Sequence, residues 1–333
     1  MKKMLMLCVI GLLMFSLQSS AASAAQKPAK TFQLGHVLIE TEDSFYHYFA
    51  VEFAKRIHDY SKGSVEIDIV GNSQLGVERD MIEGMQIGTI DMAIISNMAL
   101  GPFVPQAMLF DLPYVFTSYD NAKKVVYSDV VKPVDDAMAS KGLVVLSRGQ
   151  GAFRHAFTRV KPIRELEDFK GLKIRVPENA LYMDTYRALG ANALPMSWSE
   201  VFTALQQNTI DGAENAVQAI LNERFYEAAD YLSGTYTFMN PVAMIISGRL
   251  WNTFSQEEKD FFIKAAKEAA AIQWDFVVAR EQAIFKELAD LGMKVNQGDV
   301  NIDAFKKAVL PVYDKFRDQI GSDLIDAVLE LTK

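Results

Sequence analysis

Between Thr31 and Ile95 the chain alternates strand-like and helix-like runs, and no other feature of the sequence restricts the fold as much. Thr31 to His36 alternates apolar and polar residues, Ser44 to Ser61 places apolar residues at helical spacing, and Ser64 to Val70 (SVEIDIV) returns to strict alternation. A helical run from Val77 to Gln86 and a strand from Asp91 to Ile95 follow, giving β-α-β-α-β. Strands joined through helices lie parallel in a sheet that the helices cover, so the fold class is α/β. Open sheets of this kind bind ligands outside the carboxyl ends of their strands. His36, Glu78, Ser96 and Asn97 stand at those tips and are the binding candidates of the first half.

The pattern recurs from Gly171 to Asn215. Lys173 to Val176 is a short strand stopped by Pro177, which cannot donate to a ladder, so Arg175 sits at a strand end. Ala180 to Leu189 reads as a helix closed by Gly190, and Asn192 to Pro195 as a strand. Ser197 and Glu200 then form a capping box that places Trp198 in the first helical turn, beside free amides that favour anions. The helix ends in a turn from Asn208 to Gly212, from which Glu214 and Asn215 emerge.

Two places allow the chain to cross between sheets. Helical patterns at Asn121 to Val126 and Val131 to Ser140 lead to a strand at Leu143 to Ser147. Gly149 and Gly151 permit a bend there, and Phe153 to Thr158 begins a second sheet. Asn240-Pro241 is turn-forming, and Val242 to Ser247 reads as a buried strand returning to the first sheet. Ser255 and Glu258 cap a helix that runs to about Leu291, followed by a strand at Lys294 to Asn296 and helices around Ile302 to Ile320 and Ser322 to Leu331.

At the N-terminus, Lys2 and Lys3 precede an apolar run from Met4 to Leu17 and an Ala22-Ser23-Ala24 cleavage pattern, which predicts a secretory signal over residues 1–25 and a periplasmic protein. The run is shorter than the ~20 residues a spanning helix needs. Cys8, the only cysteine, leaves with the signal, so neither a disulfide framework nor a thiol nucleophile is available. A net charge of −8 without a basic stripe excludes nucleic acid as a partner. The roughly 300 remaining residues exceed one core and predict two lobes, lobe I from 26–150 and 241–280, lobe II from 151–240 and 281–333.

Catalysis finds no support in the motifs. The four histidines lack HExxH spacing, and no GxSxG elbow, phosphate loop or GxGxxG fingerprint follows a predicted strand, so no catalytic residue, metal or cofactor is expected. A receptor is the first reading; an exported α/β enzyme acting on a carboxylate and a periplasmic scaffold are the alternatives.

The segments GLKIRVP, PMSWSEVFTALQ and IDGAEN, with NSQLGVERDMIEGMQIGTIDM and FDLPYVF upstream, resemble the DctP-like solute receptors of tripartite ATP-independent periplasmic (TRAP) transporters. The resemblance implies a two-lobed periplasmic-binding-protein-like fold with a hinge of chain crossings and a long helix spanning both lobes. It implies that Arg175 forms a bidentate salt bridge with a ligand carboxylate, a geometry lysine cannot copy. Asn215 would donate to the same carboxylate, Arg154 would be a second basic contact with His155 as its substitute, and Trp198 would cover an apolar face. His36, Glu78, Ser96 and Asn97 would approach the far end of the ligand, with Asn240 at the second crossing completing the set. The implied partners are small and large integral membrane subunits driven by a cation gradient, serving a monomeric receptor. A sugar acid or hydroxy acid is expected over a C4-dicarboxylate, because Glu78 would repel a second carboxylate.

Overall fold

The computed structural model describes residues 29–333, so the secretory signal expected over residues 1–25 lies outside the described residues. In chain order the strands are β1 (Lys30–Gly35), β2 (Val65–Val70), β3 (Met92–Ser96), β4 (Leu143–Gly149), β5 (Phe153–Thr158), β6 (Lys173–Val176), β7 (Asn192–Pro195), β8 (Gly212–Ala216), β9 (Tyr231–Met239), β10 (Val242–Ser247) and β11 (Lys294–Asn296). They form two sheets, ordered β2-β1-β3-β10-β4 and β11-β9-β5-β8-β6-β7. As the alternation predicts, β1 pairs parallel with β2 and β3, whereas β10 enters antiparallel between β3 and β4. Helix Phe45–Tyr60 covers the first sheet because Phe45, Phe49, Phe53 and Ile57 recur every fourth residue and are buried.

Two crossings join the lobes. The chain passes from β4 to β5 through Gln150-Gly151-Ala152 and from β9 to β10 through Asn240-Pro241. Val242 pairs with Gly149 and Phe153 with Met239, so the crossings run side by side. Their approach is so close that a Cβ on Gly151 would lie 1.8 Å from the Asn240 carbonyl oxygen. Only glycine fits there.

The third connection is helix Gln256–Asp290, whose 35 residues extend about 52 Å at 1.5 Å per residue. The Ser255 hydroxyl caps it, accepting from the Glu258 amide at 3.2 Å. Phe262, Ala265, Ala266 and Ala269 bury its first half against the core that includes the first sheet, and Ile284, Phe285 and Leu288 bury its second half in the smaller core of the second sheet. Between them Gln273 grips the first crossing: its Oε1 accepts from the Gln150 amide and its Nε2 donates to the Gln150 carbonyl, both at 2.7 Å.

The structure departs from the sequence reading in three places. Gly212–Ala216, left without an assigned element after the turn that ends at Gly212, is the fully buried strand β8 between β5 and β6. Glycine, alanine, glutamate and asparagine carry little β-propensity, and the pairing of β8 comes from its neighbours on both sides. The helical stretch Ile302 to Ile320 breaks into Ile302–Ala308 and Leu310–Ile320, because Pro311 is accommodated only in a first turn. Finally, residues 281–333 do not form one unit: helix Ser322–Leu331 packs on Tyr119–Val126, which connects first-sheet strands, and Lys124 Nζ donates to the Leu331 carbonyl at 3.2 Å.

Candidate functional site

A cleft of about 960 Å³, counted out to its open mouth, lies between the lobes beside the crossings. The strand order of the second sheet builds one wall. Arg154 on β5, Asn215 on β8 and Arg175 on β6 stand on three adjacent strands, and all three line the cleft.

Arg175 is 3 % exposed and has no carboxylate within salt-bridge distance among the described residues. Its Nε and Nη2 donate to the Met196 carbonyl at 2.9 and 2.6 Å, which fixes the guanidinium plane, while Nη1 donates to no protein group among those residues. Trp198 stands against it, with the guanidinium carbon 5.6 Å from the ring centroid. Burial lowers the Arg175 pKa to about 10; Arg154 pushes the same way, while Glu214 and Glu78 resist. An ion held in this way incurs a desolvation cost that only an anion or a dense set of hydrogen bonds offsets.

Arg154 differs from its expected role. Its Nη2 donates to Glu214 Oε1 at 2.9 Å and to the Glu214 carbonyl at 3.0 Å, its Nε pairs with Glu214 Oε2, and its Nη1 reaches Asn215 Oδ1 at 2.9 Å. Glu214 thus neutralises it, and although burial opposes its charge, the Glu214 carboxylate raises its pKa. What remains for a ligand is one Nη1 proton. The Asn215 Oδ1 also accepts from the Ala216 amide at 2.8 Å, so the carboxamide is locked with its NH2 group left over.

His155 cannot substitute for Arg154. Adjacent strand residues face opposite sides, and His155 is fully buried behind the sheet, 3.5 Å from Glu281 Oε1 on the long helix and packed on Tyr236 and Phe285.

From the first lobe, Glu78 alone of the four expected residues presents a charged group to the cleft. Its Oε2 accepts from the Ser96 hydroxyl at 2.8 Å, and its Oε1 accepts from the Ser96 amide and from the Tyr46 hydroxyl at 3.4 Å. Burial raises its pKa, against the Ser96 bonds and the two arginines. Ser96 lines the cleft with both donors spent on Glu78, so it orients that carboxylate. Asn97 is turned away: its Nδ2 donates to the Ala107 carbonyl at 2.7 Å and to Asp111 Oδ1 at 3.1 Å. His36, fully buried, lies outside the lining, 3.3 Å from His47 Nδ1; burial, then His47, lowers its pKa to about 4. Asn240 lines the floor, yet its Nδ2 is committed to Asp111 at 2.6 Å and its Oδ1 accepts from the Tyr182 hydroxyl.

The sequence reading missed Glu214 as the partner of Arg154, Tyr46 as a cleft residue, and the apolar wall of Leu38, Phe45, Met98 and Phe103. Their spacing is that of ordinary core positions. Glu214 proves to be a charge inside a strand buried on every residue, which the sequence does not announce.

Two α/β lobes joined by paired crossings, with a cleft lined by a buried arginine that has no carboxylate partner among the described residues, define a solute-binding receptor. Residues 34–319 match the bacterial extracellular solute-binding proteins, family 7, also called DctP, and the chain belongs to that family, the solute receptors of TRAP transporters. Among curated relatives, a solute-binding protein of Chromohalobacter salexigens is 32 % identical over 79 % of this chain and 78 % of its own. The sialic acid-binding periplasmic protein SiaP of Vibrio cholerae is 29 % identical over 92 % of this chain and 94 % of its own. Among solved structures, a Polaromonas TRAP solute-binding protein bound to D-erythronate is 34 % identical, with a TM-score of 0.87 over 90 % of this chain and 98 % of that one. A Sulfurospirillum deleyianum relative with bound succinate is 27 % identical, with a TM-score of 0.86 over 91 % and 99 %.

Proposed function

We propose that this chain is the periplasmic receptor of a TRAP transporter, that it closes on a small hydroxylated monocarboxylate, and that it delivers the acid to small and large membrane subunits for cation-coupled uptake. The carrying observation is Arg175, a buried cation that lines the cleft with Nη1 donating to no protein group and no carboxylate within salt-bridge distance among the described residues. A ligand carboxylate supplies that anion, held by the end of the Arg175 fork and by the Asn215 NH2 group. Trp198 covers one side of the bound acid.

The charge balance favours one carboxylate over two. Arg154 is matched by Glu214, the cleft-lining Arg79 is paired with Glu83 at 3.0 Å, and Glu78 on the wall of the first lobe would repel the far carboxylate of a dicarboxylate, whereas a hydroxyl would donate to it. The apolar wall of the first lobe favours a short acid, since each buried hydroxyl without a partner costs roughly 1–3 kcal/mol. D-Erythronate, bound by the Polaromonas relative, has this chemistry. Division of the lobes at the two crossings lets them turn about Gly151 and Asn240 as rigid bodies.

Thermal unfolding with a panel of D-erythronate, pantoate, D-galacturonate, L-gulonate and succinate tests the reading. A bound acid at one hundred times its Kd stabilises the folded chain by about 2.7 kcal/mol. Stabilisation by a hydroxy acid recovered chemically unchanged is the expected result. Stabilisation by succinate alone would transfer the chain to dicarboxylates, and conversion of the acid would make it an enzyme.

A further inference from the structure

Beneath the cleft floor lies a buried acidic group that the binding site does not use. Asp111 is fully buried and has no cation within salt-bridge distance among the described residues. Three carboxamides serve it instead: Asn97 and Asn240 donate to Oδ1 at 3.1 and 2.6 Å, and Asn179 donates to Oδ2 at 3.2 Å. The donors come from different bodies. Asn97 follows β3 of the first sheet, Asn240 sits in the second crossing, and Asn179 caps helix Ala180–Ala188, between β6 and β7 of the second sheet.

Asn179 is the residue that reaches across. Its Oδ1 accepts from the Leu181 amide at 2.9 Å, capping its own helix, while its Nδ2 donates both to Asp111 and to the Met98 carbonyl at 2.8 Å. Two polar groups of the first lobe are thus satisfied by one side chain of the second.

We propose that Asp111 is a positioning residue of the receptor: it receives Asn179 when the lobes close, and so holds the cleft shut on its ligand without touching it. This rests on the receptor reading above. A contact made only in the closed form slows ligand release and leaves capture unchanged. The division of labour on Asp111 also makes the clamp testable by exchange. Asn97 and Asn240 use Oδ1 and Asn179 uses Oδ2, so an asparagine at 111 keeps the first two bonds and presents an NH2 group to position 179.

The described residues contain no cysteine, so spin labels on Ile87→Cys and Gln206→Cys, one exposed site on each lobe, report the lobe distance. D-Erythronate is titrated first, and D-galacturonate if D-erythronate leaves the distance unchanged. Asn179→Asp keeps an oxygen for the Leu181 cap and sets two carboxylates against each other. It should raise the half-closing concentration at least tenfold, through faster release at an unchanged association rate in stopped flow. Asp111→Asn, which opposes two NH2 groups, should do the same. The double variant Asp111→Asn/Asn179→Asp should recover most of the loss. Single variants that close like the parent, an equal effect on association, a double variant no better than the singles, or loss of the folded state in Asn179→Asp would each overturn the proposal. If neither acid closes the parent, the receptor reading fails instead. The clamp is then judged on the ligand-free distances, which Asn179→Asp should lengthen and the double variant restore, and unchanged distances would overturn it.

Discussion

A single arginine carries the binding reading, and its replacement should separate charge from geometry. Arg175→Lys keeps a cation in the second sheet but loses the planar fork that Met196 orients, so carboxylate binding should weaken by ~2–5 kcal/mol while the unfolding transition stays cooperative. Titration calorimetry with D-erythronate checks this, and an unchanged Kd would remove Arg175 from the site. Glu78→Gln tests the other wall. The amide can still accept from the Ser96 amide and donate to the Ser96 hydroxyl, but the charge is gone, so succinate should gain on D-erythronate by about tenfold, ~1.4 kcal/mol. A ratio of affinities unmoved in competition calorimetry would show that Glu78 does not choose the ligand. At this scale the sequence was partly legible. Arg175, Asn215, Trp198 and Glu78 line the cleft because strand ends and helix starts can be read from Pro177, the capping box and the alternation. Asn97 and His36 do not, because the direction of a side chain one residue past a strand end depends on pleat and twist that alternation alone does not set, and His155 does not because it adjoins Arg154 on β5 and so faces the other side of the sheet.

Among the elements, the strands with strong local signals were readable and those held by their neighbours were not. SVEIDIV announces β2 by alternation, whereas GAENA has no strand signal of its own and is extended because β5 and β6 flank it. That omission matters for function, since β8 brings Arg154, Asn215 and Arg175 onto adjacent strands. Length was readable too: the capping box at Ser255 and the glycine after Leu291 delimit the long helix to within a residue. The crossing near Gly149 and Gly151 could be placed but not its tightness, which depends on a carbonyl 89 residues later in the chain, that of Asn240. Gly151→Ala drives a Cβ into that oxygen, and the paired crossings must spread to admit it. The loss should reach ~4 kcal/mol, near the top of the range for single substitutions, measured by urea unfolding. A midpoint within error of the parent would mean that the crossings give way freely.

For the molecule as a whole, two buried ionisable groups pull stability in opposite directions with pH. Burial raises the Asp111 pKa from 3.8 to about 7, against the bonds from its three asparagines and the field of Arg154. Between those values the folded chain holds a proton that the unfolded chain has released, so this contribution falls as pH rises. Burial, then His47, lowers the His36 pKa from 6.5 to about 4, so in that window the unfolded chain holds the extra proton and stability rises with pH. The two offset each other between about pH 4 and 6.5. Asp111→Asn should therefore unmask a melting temperature that climbs through that interval, read by calorimetry at several pH values, and a profile parallel to the parent would exclude Asp111 as its counterweight. The strand order has a further effect, on timing. β10 lies between β3 and β4 yet ends at residue 247, and the second sheet waits for β11 at 294–296. Neither lobe can finish its sheet from the first two hundred residues synthesised, so the growing chain has no completed core to close around. A polypeptide that must thread a narrow channel unfolded benefits from such a delay, and here the delay is set by the order in which the strands leave the ribosome.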